Sequence, residues 1–245
     1  MQILVCIDDT DDLESKGTGQ LAEEIAAKIK ADGWGHTTGI TRHQLFVHPD
    51  IPYTSHNSAM CFKAEIQEKY FQHVINYASQ YLLEQSAPSA DPGLCVANIA
   101  SMRSPDSLIE FGLRAKREVI TKEEAYQTAK FQGIHLSEHG GTGQGVIGAL
   151  AGAGLRLSGN DGRYKGKIKL NRAPGAMTVK ELLECTSIER VQSLTGDLLD
   201  PADAIDVGTE IKTVHLGHRR VLLVSPAAQD NKRWVLCSKQ QLKCF

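Results

Sequence analysis

Apolar and polar positions fall into blocks along the chain. Residues 3–7 are continuously apolar and run straight into Asp8, Asp9, Thr10, Asp11 and Asp12. A short apolar run bounded by turn formers predicts a strand buried on both faces, the kind found in parallel sheets. Leu21, Ile25, Ala26 and Ile29 recur at helical spacing over residues 20–30, and Gly33 supplies a stop. Residues 40–47 and 59–66 read as strands flanking the loop 48–57, which Pro49 and Pro52 stiffen. Residues 69–83 predict a helix with Phe71, Val74, Ile75, Ala78 and Leu82 on one face.

Beyond this helix, residues 86–93 read as a Pro/Ser/Ala-rich linker and 94–99 as a strand. Ser104-Pro105-Asp106 opens a helix with proline in its first turn, and 122–131 forms another. The cluster Gly140-Gly141-Thr142-Gly143-Gln144-Gly145 then feeds an apolar helix that begins at Val146. Strands alternating with helices predict an α/β fold, a mixed sheet with flanking helices. From about Tyr164 the elements shorten, to a helix over 178–185 and strands near 210–214, 220–224 and 234–237. The expected organisation is therefore an α/β domain over 1–170 and a small β-rich module over 171–245.

Composition narrows the classes of function. The chain has 245 residues, is 41% hydrophobic and carries a net charge of −2, which argues against a generic polyanion binder but leaves room for a local basic patch. No apolar stretch approaches the roughly 18 residues of a membrane span, and Met1 leads directly into the first strand, so a cytoplasmic protein is expected. The six cysteines include no Cys-x-x-Cys pair, which disfavours zinc ribbons and dithiol redox sites. Cys6 and Cys61 read as small buried hydrophobes.

Four carboxylates at one strand end repel each other and favour a cation. A hard ion such as Mg²⁺ fits oxygen ligands and usually arrives with phosphate. In an extended segment Asp9 and Asp11 would share a side; the alternative is a solvated Asp/Thr turn. Asp9-Thr10-Asp11 also begins like the aspartyl-phosphate motif, although Leu13 stands where Thr or Val is usual. The glycine cluster suits an anion, because glycines at a helix N-terminus expose backbone N–H groups; the alternative is close helix packing. Residues 143–148 formally match the dinucleotide fingerprint, with Asp161 near the ribose spacing, but Ile134-His135-Leu136 is a poor first strand, and there is no P-loop motif. His48, His56, His135 and His139 read as surface or capping residues. Arg42, Arg103, Lys116 and Arg117 are either phosphate partners or a solvated face.

Three segments together resemble the archaeal tRNA(Ile) 2-agmatinylcytidine synthetases. Ile7-Asp8-Asp9-Thr10-Asp11, followed by a glycine and Thr18 at a helix head, is similar to that family's Ile-Asp-Asp-Thr-Asp-Ser-x-x-Gly-x-Cys-Thr-Thr. The loop from Pro49 to Asn57 resembles its Asn-Pro-x-Ile-Pro segment, and residues 143–151 resemble its Gly-x-Gly-x-Ile-Gly-Ala-Leu-Ala. The order is the same, and the likeness covers about residues 1–165. It implies a kinase-like, ATP-binding domain that cleaves ATP, activates a cytidine of tRNA by phosphorylation and phosphorylates its own threonine. By position, Asp8, Asp9 and Asp11 would be the Mg²⁺ and catalytic carboxylates, and Thr18 the matching threonine. Gly141, Gly143, Gln144 and Gly145, with His56 and Asn57, would hold the nucleotide.

The departures qualify what is inherited. Thr54 and His56 stand where the family has Lys and Arg, Gly17-Thr18-Gly19 replaces Cys-Thr-Thr, and the family's zinc ribbon has no counterpart among the cysteines. The expectation is an ATP- and Mg²⁺-dependent phosphoryl-transfer enzyme with a nucleotide as its partner and RNA as one possible acceptor. The alternatives are a nucleotide-binding sensor with reduced catalysis and an aspartyl-phosphate phosphatase using Asp9. The sequence names neither the acceptor nor the oligomeric state.

Overall fold

The structure, a computed structural model, describes residues 1–51, 57–227 and 230–245. The chain divides into two compact units, Met1–Ser158 and Gly159–Phe245. Residues 159–170, placed by the sequence reading with the first domain, cluster with the second unit.

The first unit runs β1 (Gln2–Asp8), α1 (Thr18–Ala31), β2 (Gly35–Thr37), β3 (Thr41–Gln44), β4 (Ser58–Ile66), α2 (Phe71–Gln85), β5 (Gly93–Asn98), α3 (Pro105–Arg114), α4 (Lys122–Gln132), β6 (His135–Glu138) and α5 (Gly145–Ser158). Its strands lie in the order β6-β5-β1-β4-β3, with β2 also paired to β4. The strand β1 is central, as its apolar run predicts, but it is antiparallel to both neighbours, with Cys6 opposite Cys61 and Cys95. The parallel expectation is corrected here. What makes the run apolar is cover on both faces rather than strand direction. Ile3, Val5 and Ile7 face a layer formed by α1 and α2, whereas Leu4 and Cys6 face one formed by α3, α4 and α5. His135-Leu136, read as a poor strand, lies in the edge strand β6, held by four paired positions to β5.

Of the predicted helix signals, Pro105 opens α3 and Gly33, at φ 67°, follows the end of α1; α4 adds two that the sequence reading did not use. Thr121 and Glu124 form a capping box at the head of α4, and Gly133, at φ 70°, ends it in the left-handed region. In contrast, α1 begins after Gly17 with no side-chain cap, which leaves its first turn next to the acidic segment.

The second unit contains β7 (Arg163–Tyr164), β8 (Ile168–Lys169), β9 (Gly175–Thr178), α6 (Val179–Cys185), β10 (Arg190–Ser193), β11 (Ala204–Val207), β12 (Glu210–Ile211), β13 (Val214–Leu216), β14 (Arg219–Ala227) and β15 (Asp230–Leu236). Two of its pairings, β10 with β14 and β11 with β15, are parallel, whereas β14 pairs antiparallel with β13 and β15. Leu182, Ile205, Ile211, Leu222 and Val224 form its core. The chain is thus α/β with mixed strand pairings and flanking helices, and β-rich after Ser158. No helix among the described residues is long and apolar enough to cross a membrane.

Candidate functional site: an acidic loop against a glycine helix

The end of β1 and the head of α5 are far apart in sequence and in direct contact in space. Asp8, the last residue of β1, is buried. A Cβ added at Gly148 of α5 would strike its carboxylate, so only glycine permits this approach. One turn further on, Gly152 would meet Cys6 Sγ at 2.6 Å and the Ala59 side chain at 2.7 Å. The packing alternative therefore accounts for Gly148 and Gly152, and it places the first turns of α5 on the Asp8 side of the sheet.

Asp9 adopts φ 51°, an uncommon conformation for a non-glycine residue, which Asp tolerates better than most. This turn ends the strand. Burial first, then the adjacent Asp9 carboxylate, pushes Asp8 up to about 8. Burial, then the carboxylates of Asp91 and Asp11, push Asp9 up to about 6, against a backbone N–H of Asp91 that pulls it down. Both groups are therefore drawn towards their neutral forms, as buried and crowded carboxylates are.

Asp11 and Thr18 form the second part. The Thr18 hydroxyl, buried in the first turn of α1, donates a hydrogen bond to Asp11 Oδ1 and accepts one from Thr10 Oγ1 at 3.1 Å. A carboxylate holding a hydroxyl proton is the arrangement a general base requires. Asp12 does a different job. Its Oδ1 accepts from the N–H groups of Glu14 and Ser15 at 3.0 and 2.9 Å, and Oδ2 accepts from Ser89 Oγ at 3.1 Å. These bonds, led by the Glu14 N–H, hold its carboxyl below its ordinary value. Asp12 caps a turn.

The residues read as a linker contribute more than the sequence suggested. Ala87 N–H donates to Thr10 C=O at 3.0 Å. The Asp91 carboxylate accepts from Thr142 Oγ1 at 2.6 Å and from the Thr142 N–H, and its carbonyl accepts from Gly145 N–H at 3.0 Å. On the other flank, Lys122 Nζ lies 3.0 Å from Glu138 Oε2 and 2.8 Å from Thr142 C=O. Asp91, Thr142, Lys122 and Glu138 were missed in the sequence. The available signal was an acid, Asp91, directly before Pro92-Gly93 at the start of β5.

The remaining expected residues divide. Gly141 and Gly143 take φ 53° and 76°, and Gln144 is exposed at the entry to α5. The Gly145 N–H is engaged by Asp91, so Gly145 contributes close packing against Asp91 and Gly93 rather than an open donor. Asn57 donates from Nδ2 to Phe46 C=O at 2.7 Å and its carbonyl accepts from Leu45 N–H at 2.9 Å, a strand-end brace; among the described residues it bonds neither the acids nor the glycine loop. His56 lies outside the described residues. Arg117 pairs with Glu110 at 3.0 Å, and Arg103 lies over the Phe131 ring at 5.8 Å. His135 and His139 both bond Ser137 Oγ at 2.9 Å.

Among the described residues no group of three or more His, Cys, Asp or Glu side chains is arranged to hold a metal ion. A protein-only cage is therefore not built here. One or two carboxylates suffice for Mg²⁺, which keeps several waters and takes further oxygens from phosphate, and the crowded pair Asp8 and Asp9 fits that role.

No protein-family profile matches the chain. It is 28% identical over 154 residues to an uncharacterized protein of Methanocaldococcus jannaschii, covering 63% of this chain and 50% of that protein. It is 26% identical over 162 residues to the tRNA 2-agmatinylcytidine synthetase TiaS of Pyrococcus horikoshii, covering 64% of this chain and 37% of TiaS. Among solved structures, the complex of TiaS with its isoleucine tRNA and ATP matches with a TM-score of 0.55 at 25% identity, covering 63% of this chain and 36% of that one. A tRNA fluorescent labeling enzyme matches with a TM-score of 0.55 at 26% identity, with the same coverage. The chain thus resembles a part of TiaS and spans half or less of the length of the curated relatives it matches.

Proposed function

We propose that the first unit is an ATP- and Mg²⁺-dependent phosphoryl-transfer site with a kinase-like α/β core. The observation that carries this reading is the meeting of the acidic loop and the glycine helix, through Gly148 on the Asp8 carboxylate and through Asp91 between Asp9 and Gly145. Phosphoryl transfer is mostly positioning and charge neutralisation, and it needs both halves together. The solved complex of TiaS with tRNA and ATP supports a nucleotide as the ligand.

In this reading Asp8 and Asp9 hold Mg²⁺, which when bound neutralises phosphate charge. Asp11 takes the proton of the acceptor hydroxyl, which is Thr18 itself in an autophosphorylation or a substrate hydroxyl that displaces it. Gly143 and Gln144 present backbone N–H groups to phosphate, with Gly141 giving the loop its turn. A tRNA is the first external acceptor to test, by analogy with TiaS.

Incubation with Mg²⁺ and γ-labelled ATP tests the reading directly. Label on Thr18, or phosphate release that Asp8→Asn and Asp11→Asn abolish, is the expected result; turnover indifferent to both substitutions refutes it. The second reading, a nucleotide-binding sensor, draws on Thr54 and His56 standing where the resembling family has cations. It expects saturable ATP binding with neither label nor release.

A further inference from the structure

Thr142 sits between two glycines in the left-handed region, and each of its polar groups is engaged. Its N–H and hydroxyl both go to the Asp91 carboxylate, the latter at 2.6 Å, and its carbonyl accepts from Lys122 Nζ at 2.8 Å. Lys122 is held in turn by Glu138 at 3.0 Å, and a Cβ at Gly143 would collide with that same carboxylate. In a planar trans peptide the C=O and the following N–H point in opposite directions. By fixing the Thr142 carbonyl, Lys122 therefore aims the Gly143 N–H away from its own ammonium. Asp91 fixes the preceding peptide, and its carbonyl takes the Gly145 N–H at 3.0 Å. Between these two anchors lie the N–H groups of Gly143 and Gln144, which donate to no acceptor among the described residues. Gly143 is buried and Gln144 exposed, and a backbone donor without a protein acceptor is one that water or a ligand must satisfy.

We infer that Asp91 and Lys122 are the positioning residues of the phosphate cradle, holding Thr142 from both sides so that Gly143 and Gln144 point their N–H groups at the nucleotide. This rests on the ATP-site reading above and deepens it. It also answers the loss of the Lys and Arg of the proline loop in a specific way. The cation at this cradle acts on the loop backbone, as one arm of a clamp, and Glu138 already neutralises it.

Binding of ATP and of AMP to the full chain, with Mg²⁺ present, separates positioning from mere stapling, because only positioning makes the loss depend on the phosphates. Asp91→Asn and Lys122→Met are each expected to lower the ATP-over-AMP affinity ratio by about tenfold or more, the weight of a charge-assisted hydrogen bond. The melting temperature should move little. Lys122→Arg and Thr142→Ser, which keep the bonding pattern, should recover the ratio. If Asp91→Asn does not fold, Lys122→Met on the loop's outer flank carries the test. A wild-type ratio in the soluble variants overturns this inference while leaving the ATP site standing. A wild-type protein that binds no nucleotide overturns the ATP-site reading and this one with it.

Discussion

Removing the Asp8 charge should stabilise the metal-free protein at mildly alkaline pH and abolish its response to Mg²⁺. The folded protein holds the Asp8 proton up to about 8, whereas the unfolded chain releases it near the ordinary value of 3.8. Between those values the native state binds more protons than the unfolded state, so stability falls as pH rises. The penalty is absent below the lower value and fully developed above the upper one. Each pH unit of that window is worth about 1.4 kcal/mol per proton, and Asp8 is half titrated at its upper end, so the fall from pH 6 to pH 8 is about 2 kcal/mol. Asp9, pushed only to about 6, titrates largely below this interval. Asp8→Asn keeps the shape of the neutral acid and removes the proton. Urea unfolding at pH 6, 7 and 8 in the presence of a chelator should show the wild type losing about 2 kcal/mol more than the variant. Mg²⁺ added at pH 8 should restore stability to the wild type alone. Equal slopes in the two proteins, or a wild-type stability flat between pH 6 and 8, would refute the burial and crowding of Asp8 on which the site is built.

Three further outcomes test other parts of the arrangement. Gly148→Ala should lower stability by about 1–3 kcal/mol through its clash with the Asp8 carboxylate, and thermal melts should show the loss partly relieved when combined with Asp8→Ala. Asp12→Asn should leave ATP turnover unchanged in the assay that Asp8→Asn and Asp11→Asn inactivate, because among the described residues the Asp12 carboxylate bonds only turn groups and Ser89. Cys6, Cys61 and Cys95 lie side by side across β4, β1 and β5 with Cys6 and Cys95 thiols raised by burial, so a thiol reagent should label exposed Cys185 in native protein and reach the three only in denaturant.

Helices of the first unit were legible where they carry an apolar stripe or a boundary signal, as α1 does with Leu21, Ile25 and Ile29 ahead of Gly33. The same holds for β1, whose burial was readable although its direction was not, since cover on both faces gives one pattern to parallel and antiparallel strands alike. The four-residue strands β9, β10 and β11 escaped notice because they are too short for alternation to stand out. Within the site, side chains that act on a ligand directly stand out as clusters, as Asp8, Asp9 and Asp11 do. Asp91 and Lys122 act through the backbone of Thr142, a contact between segments that no local pattern encodes. The linker composition around Asp91 even pointed away from it.

The antiparallel direction of β1 is what makes the site possible. Asp8 is paired with Gly93 at the start of β5, and Gly93 with Glu138 at the end of β6, so these three residues form one row across the sheet. Beyond that row lie the acidic loop, the Asp91 segment and the glycine loop, all at the same edge. Were β5 parallel to β1, its first residue would lie at the far end of the strand, and Asp91 could not reach both Asp9 and Thr142. The topology therefore supplies the meeting of acids and glycines that the sequence kept far apart. The distinction between enzyme and sensor then falls on Thr18. Its hydroxyl is bonded to Asp11 and buried beside Thr10, the base-on-hydroxyl arrangement that the proposed phosphoryl transfer would use. Thr18→Val should therefore abolish labelling by γ-labelled ATP while retaining nucleotide binding, and undiminished labelling would move the acceptor elsewhere.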